Sequence, residues 1–165
     1  MDGNLYSLKF SGKLLERGFW LYVWEIVTPK HEAVYYVGRT GDSSSCNAQS
    51  PFNRMSHHLG FNAKSNVLRR RLVNQGIDPE RCTFRLIAHG PILKEALTPE
   101  GHREPRDITA ALEAALAVEM EAAGYAVINA VNCRVPLNKQ MFAQVHSAFA
   151  KEFPRLSQGK PNEGY

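Results

Sequence analysis

Four side chains in the first third of the chain have types and spacings suited to phosphate chemistry. Tyr22 and Tyr36 sit in two apolar runs, residues 19–27 and 33–40, and Arg54 and His58 follow at i and i+4. Residues four apart share one side of a helix, so the guanidinium and the imidazole would be presented together. The planar fork of an arginine can hold two oxygens of one phosphate. An imidazole one turn on can bind or protonate a phosphate oxygen. A phenol such as Tyr22 can accept the proton of an attacking water once a cation lowers its pKa from about 10, and Tyr36 would hydrogen-bond the phosphate or the water. Each has a bland alternative: strand aromatics that fill a core, a solvated arginine, and His57 in place of His58.

The elements that must position these groups can be read from patterning. Residues 19–27 and 33–40 are rich in aromatic and β-branched types and predict two strands. The link from Thr28 to Glu32 is short enough for an antiparallel hairpin. If Val27 pairs with Ala33, Tyr22 faces Gly38 and Trp24 faces Tyr36. The two tyrosines then share a sheet face as diagonal neighbours, with Gly38 leaving an open spot beside a phenol. A slip of one residue would separate them. Strict alternation sends Tyr35 and Arg39 to the other face.

Residues 41–50 read as a polar loop. Ser50-Pro51 reads as an N-cap followed by proline at the first helical position, opening a helix to about Leu59 with Gly60 as its stop. A second helix is expected from near Ser65 to before Gly76, burying Val67, Leu68, Leu72 and Val73 and carrying Arg69, Arg70 and Arg71. Residues 82–88 alternate as a third strand would. Residues 5–10 suggest a short strand and residues 13–17 a helical turn. Residues 90–107, with three prolines, predict a long surface loop. Asp107 then caps a largely buried, alanine-rich helix to about Ala123. An extended segment at 127–132 and a helix from Lys139 to about Phe153 follow, and the tail to Tyr165 is expected to be loose.

The whole chain sets bounds. It has 165 residues, 44% hydrophobic and 22% charged, with a net charge of +4. That suits one globular domain with its own core and permits a polyanionic partner without requiring one. Cys46, Cys82 and Cys133 show neither zinc-ligand spacing nor an even disulfide set, so a reduced cytoplasmic setting is expected. No apolar run reaches membrane-spanning length, and no signal peptide is visible at the N-terminus.

Taken together, the residues resemble the GIY-YIG nuclease family. Trp20-Leu21-Tyr22 stands where that family has Gly-Ile-Tyr, with Trp20 replacing the glycine, and Tyr36-Val37-Gly38 stands for Tyr-Ile-Gly. Arg54 and His58 match its Arg/His helix, Glu113 looks like its metal-binding glutamate, and Asn129 like the asparagine that follows. The resemblance covers roughly residues 19–132. Residues 1–18 would then be an N-terminal extension, and residues 133–153 would contribute a helix packed on the domain. It implies an α+β fold, a small three-stranded antiparallel sheet flanked by helices, and phosphodiester hydrolysis with one divalent metal. Arg39 would be the basic residue that relatives often carry after the second motif.

Glu113 has Leu116, Ala117 and Met120 on its side of the helix, where a carboxylate is costly unless paired. A Mg²⁺ or Mn²⁺ ion would pair it; so would a buried arginine. Glu119 is the alternative ligand, and Asn132 the alternative to Asn129. Lys64, Arg69, Arg70 and Arg71 could contact backbone phosphates of DNA away from the cut, or form a solvated basic face. The expectation is an endonuclease acting on DNA. Its rivals are a catalytically silent nucleic-acid binder and an interaction module that docks a partner through Phe142, Phe149 and Phe153.

Overall fold

The computed structural model describes residues 4–42, 47–62 and 64–158. Strands β1 (Phe19–Val27), β2 (Ala33–Arg39) and β3 (Thr83–Leu93) form an antiparallel sheet in the order β2-β1-β3. Helices α1 (Pro51–Leu59), α2 (Val67–Asn74), α3 (Pro99–Ala122) and α4 (Lys139–Ala150) flank it. The architecture is α+β. No helix among the described residues is long and apolar enough to cross a membrane.

The hairpin adopts the expected register: Tyr22 opposite Gly38, Trp24 opposite Tyr36, Val27 opposite Ala33. Alternation then divides the core in two. Tyr22, Trp24, Ile26 and Tyr36 point towards α1 and α2, packing with Leu68 and Leu72. Leu21, Val23, Tyr35 and Val37 point the other way, against Leu112, Leu116 and Met120 of α3 and Val145 and Phe149 of α4. Ser50 caps α1, its hydroxyl accepting from the Asn53 amide, with Pro51 next. This satisfies one of the amides that a helix start leaves without an intrahelical partner.

Three expectations are corrected. The segment 90–107 is not a loop: β3 runs on to Leu93 and α3 begins at Pro99. Pro91 is tolerated because β3 is an edge strand. Pro99 occupies the first helical position, where its missing amide costs no bond, and Thr98, not Asp107, caps the helix. Asp107 lies inside α3, paired with Arg106 at 2.9 Å. Residues 5–10 form no strand, and Leu5, Tyr6 and Leu8 are exposed; alternation without a partner edge does not make a strand. The last helix ends at Ala150, not near Phe153, and the first residues of the tail, 154–157, form a 3-10 turn. Leu156, in a 3-10 turn at Pro154–Ser157, is buried, while residues 159–165 lie outside the described residues.

Trp20, the departure from the family pattern, sits where the ladder is irregular. Leu21 pairs with His89 but Phe19 pairs with Leu93, so β3 carries extra residues here, as in a bulge. The Trp20 ring lies over Gly90, where an added Cβ would come within 2.9 Å of it.

Candidate active site

Tyr22 is 1% exposed and its hydroxyl stands 2.6 Å from His58 Nε2. Tyr36 meets the same imidazole edge-on, with ring centroids 5.2 Å apart. The open spot expected at Gly38 is filled by the Tyr22 ring itself: a Cβ there would lie 2.5 to 2.7 Å from its edge and hydroxyl. His58 therefore does not stand free for a phosphate; it is buried behind the phenol. Burial, then the nearby Arg54 charge, lowers its pKa to about 3, so the imidazole is neutral. Its Nδ1 is buried with no hydrogen-bond partner among the described residues.

A pH prediction follows. The folded pKa of His58 is depressed below the ordinary 6.5. The stability that goes with a neutral imidazole is therefore complete above about pH 6.5 and is lost as pH falls towards about 3. Urea midpoints measured from pH 7 to pH 4 should fall in the wild type and fall less in His58→Gln. Parallel curves would show that His58 titrates alike in the folded and unfolded chain, against the depressed pKa.

Arg54 donates from Nη2 to Asp42 Oδ2 at 2.8 Å, and its Nε is buried without an acceptor among the described residues. Sequence patterning did not single out Asp42. It lies in an aperiodic polar loop, and its only signal was an acid placed just after the second tyrosine motif. Arg39, the last residue of β2, donates from Nε to Glu113 Oε2 at 2.9 Å, with the two side chains 15% and 14% exposed. Its Nη1 is likewise buried without an acceptor among the described residues.

Glu113 thus meets a buried arginine, one of the two partners anticipated for it. Burial raises its pKa to about 7 against the pull of Arg39. Arg39 ends β2, and there the Glu113 charge on one face of the sheet acts on the Tyr36 phenol on the other. Burial pushes Tyr36 up to about 12, with the Glu113 charge adding and Arg54 and Arg71 opposing. Burial pushes Tyr22 further up, opposed by Arg54. The structure therefore links Tyr22, Tyr36, Arg54, His58, Arg39 and Glu113 through a chain of contacts and charges, and adds Asp42.

Asn129 is committed elsewhere. Its Oδ1 accepts from the Val37 amide at 3.0 Å and its Nδ2 donates to the Val37 carbonyl at 2.7 Å. The side chain thus stands in for a neighbouring strand. Asn129→Ala should cost about 2–4 kcal/mol by leaving two backbone groups without partners, read as a lower urea midpoint at unchanged slope. An unmoved midpoint would mean that water replaces the amide.

The basic run on α2 splits. Arg69 pairs with Glu80 at 2.9 Å and covers the Phe61 ring; Arg70 and Lys64 are exposed; Arg71 is half-buried near Tyr36. His57 and Glu119 are half-buried, and Asn132 and Glu121 are exposed. Phe149 and Phe153 are buried in the protein's own core and Phe142 packs against it, so they do not offer the docking face an interaction module would need.

Among the described residues no three His, Cys, Asp or Glu side chains are grouped so as to hold a metal ion. A cage is thus not present, but Mg²⁺ is commonly held by one or two carboxylates, with waters and substrate oxygens completing its shell. Glu113 spends only Oε2 on Arg39, and its other oxygen makes no hydrogen bond among the described residues. The donor set fits that sparse kind of site.

Compared with protein-family models, with curated proteins and with solved structures, the chain matches none of them.

Proposed function

We propose that the protein is a metal-dependent endonuclease that hydrolyses DNA phosphodiesters, working as the GIY-YIG resemblance implies. The observation that carries this reading is the convergence of two buried phenols, two arginines with unpartnered buried nitrogens and one carboxylate at the end of an edge strand. Buried donors without acceptors call for an explanation, and a phosphate supplies acceptors for both guanidinium groups.

The scissile phosphate displaces Asp42 from Arg54 and is held by the guanidinium fork. Tyr22 takes the proton of the attacking water as the phenolate, its own proton having left to solvent; the Arg54 charge favours that ionised form, while His58 stays neutral and holds the phenol in place. Tyr36 orients the water or the phosphate. Glu113 would hold the metal ion through the carboxylate oxygen that Arg39 leaves free. Mg²⁺ or Mn²⁺ there would supply a Lewis acid for the charge on the phosphate and on the leaving oxygen, which takes up a proton from solvent as it departs.

A second reading has its own support. Each candidate group is already engaged within the protein: Glu113 by Arg39, Arg54 by Asp42, Tyr22 by His58. A catalytically silent DNA binder would look the same. A plasmid-nicking assay with Mg²⁺, Mn²⁺ or EDTA separates the two. Cleavage that needs the metal and falls in Arg54→Ala supports the nuclease. Salt-sensitive binding with no cleavage in any divalent ion supports the binder.

A further inference from the structure

We propose that Arg71 is a second phosphate-binding residue inside the cluster, holding the DNA phosphate next to the one that is cut. This deepens the nuclease reading and rests on it. Sequence reasoning grouped Arg71 with Arg69 and Arg70 as contacts away from the chemistry; the structure separates them. Leu68 and Leu72 are fully buried in the α2 face of the core. Arg71, three residues after one and adjacent to the other, leaves the helix at the margin of that stripe rather than in open solvent.

Its guanidinium is held in place but not neutralised. Nη1 donates to the Ile128 carbonyl at 3.3 Å, and Nε is buried without an acceptor among the described residues. Of the arginines around it, Arg39 has Glu113, Arg54 has Asp42 and Arg69 has Glu80, while Arg70 is exposed to solvent. Arg71 makes no ion pair among the described residues. A half-buried cation lacking a counter-ion is costly, and an anion from outside removes that cost.

The position identifies the anion. Arg71 lies on α2 and Arg54 on α1; Arg71 is anchored to the Ile128 carbonyl, and the Ile128 amide bonds the carbonyl of Tyr35, the residue before Tyr36. A guanidinium on each of two neighbouring helices suits successive phosphates of one strand. Recognition of this kind needs at least two linked phosphates. The backbone, not the base, is the feature read.

The test uses the full chain without metal, in EDTA, with a fluorescent single-stranded DNA oligonucleotide of about a dozen nucleotides, followed by anisotropy over a salt series. Arg71→Gln should weaken binding about tenfold at low salt and make the plot of log affinity against log salt shallower by roughly one ion. Arg71→Lys keeps the charge and should restore the slope but only part of the affinity. A purely structural role, through the Ile128 carbonyl, would leave the slope unchanged in a folded Arg71→Gln. An unchanged slope overturns the proposal, as does a wild type that does not bind the oligonucleotide. A slope shallower by one ion without any metal-dependent cleavage keeps Arg71 as a backbone-phosphate contact and removes the nuclease reading. Cleavage with an unchanged slope does the reverse.

Discussion

Glu113→Gln is expected to leave the fold and DNA binding in place and to lower metal-dependent cleavage by about a thousandfold. Glutamine matches the glutamate in shape and its amide oxygen can still accept from Arg39 Nε, so the contact at 2.9 Å is kept in outline. What disappears is the negative charge that would hold a divalent ion. Lewis-acid stabilisation of a phosphoryl transition state is worth several kcal/mol, and about 4 kcal/mol corresponds to a factor of a thousand. Initial rates of plasmid nicking at saturating Mg²⁺ are the measurement, and cleavage undiminished in the variant would remove Glu113 from the mechanism.

The same residue ties activity and stability to pH in opposite senses. Its folded pKa, about 7, lies above the ordinary 4.5 because of burial. A raised folded pKa means the folded protein holds the proton more tightly. The stabilisation this brings is complete below about pH 4.5 and is lost as pH rises through about 7. The proposed cleavage would need the ionised carboxylate, so kcat/KM should climb over the range in which that stabilisation fades. In Glu113→Gln both trends should flatten.

Gly38→Ala should destabilise the protein by about 2–3 kcal/mol through overpacking, lowering Tm by about 5–10 °C at this chain length. The added Cβ would stand 2.5 Å from one Tyr22 ring carbon and 2.7 Å from the hydroxyl, far inside contact distance. The ring cannot simply move, because it is buried and its hydroxyl is bonded to His58. A double-mutant cycle checks the cause. In a Tyr22→Ala background the obstruction is gone, and the cost of Gly38→Ala should fall below about 0.5 kcal/mol. An equal cost in both backgrounds would point to the strand backbone rather than to the phenol.

Much of this site could be read from sequence where one local rule governs. The pairing of Val27 with Ala33 fixed both the Tyr22/Gly38 juxtaposition and the shared face of the tyrosines, because side-chain alternation leaves a hairpin few registers. The caps around Ser50 and Gly60 placed α1 for the same reason. Alternation also put Arg39 on the α3 side of the sheet. It could not show that Glu113 would arrive there, since that depends on how a distant helix lies across the strands. The start of α3 is hidden because proline marks both loops and helix starts; here Pro99 opens a helix and Pro91 rides an edge strand. The Tyr22–His58 bond and the role of Asp42 arise only from packing α1 and the following loop against the sheet. Arg71 was within reach of reasoning, since its neighbour Leu72 had already been assigned to the core.

The clamp around β2 has a consequence for association. The amide and carbonyl of Tyr35 are taken by Ala126 and Ile128, and those of Val37 by the Asn129 carboxamide. A sheet margin with unspent main-chain groups is a template on which a foreign extended peptide, or a misfolded copy, can grow. At these two residues that template is already filled, so strand addition there would first have to peel away the chain around position 129.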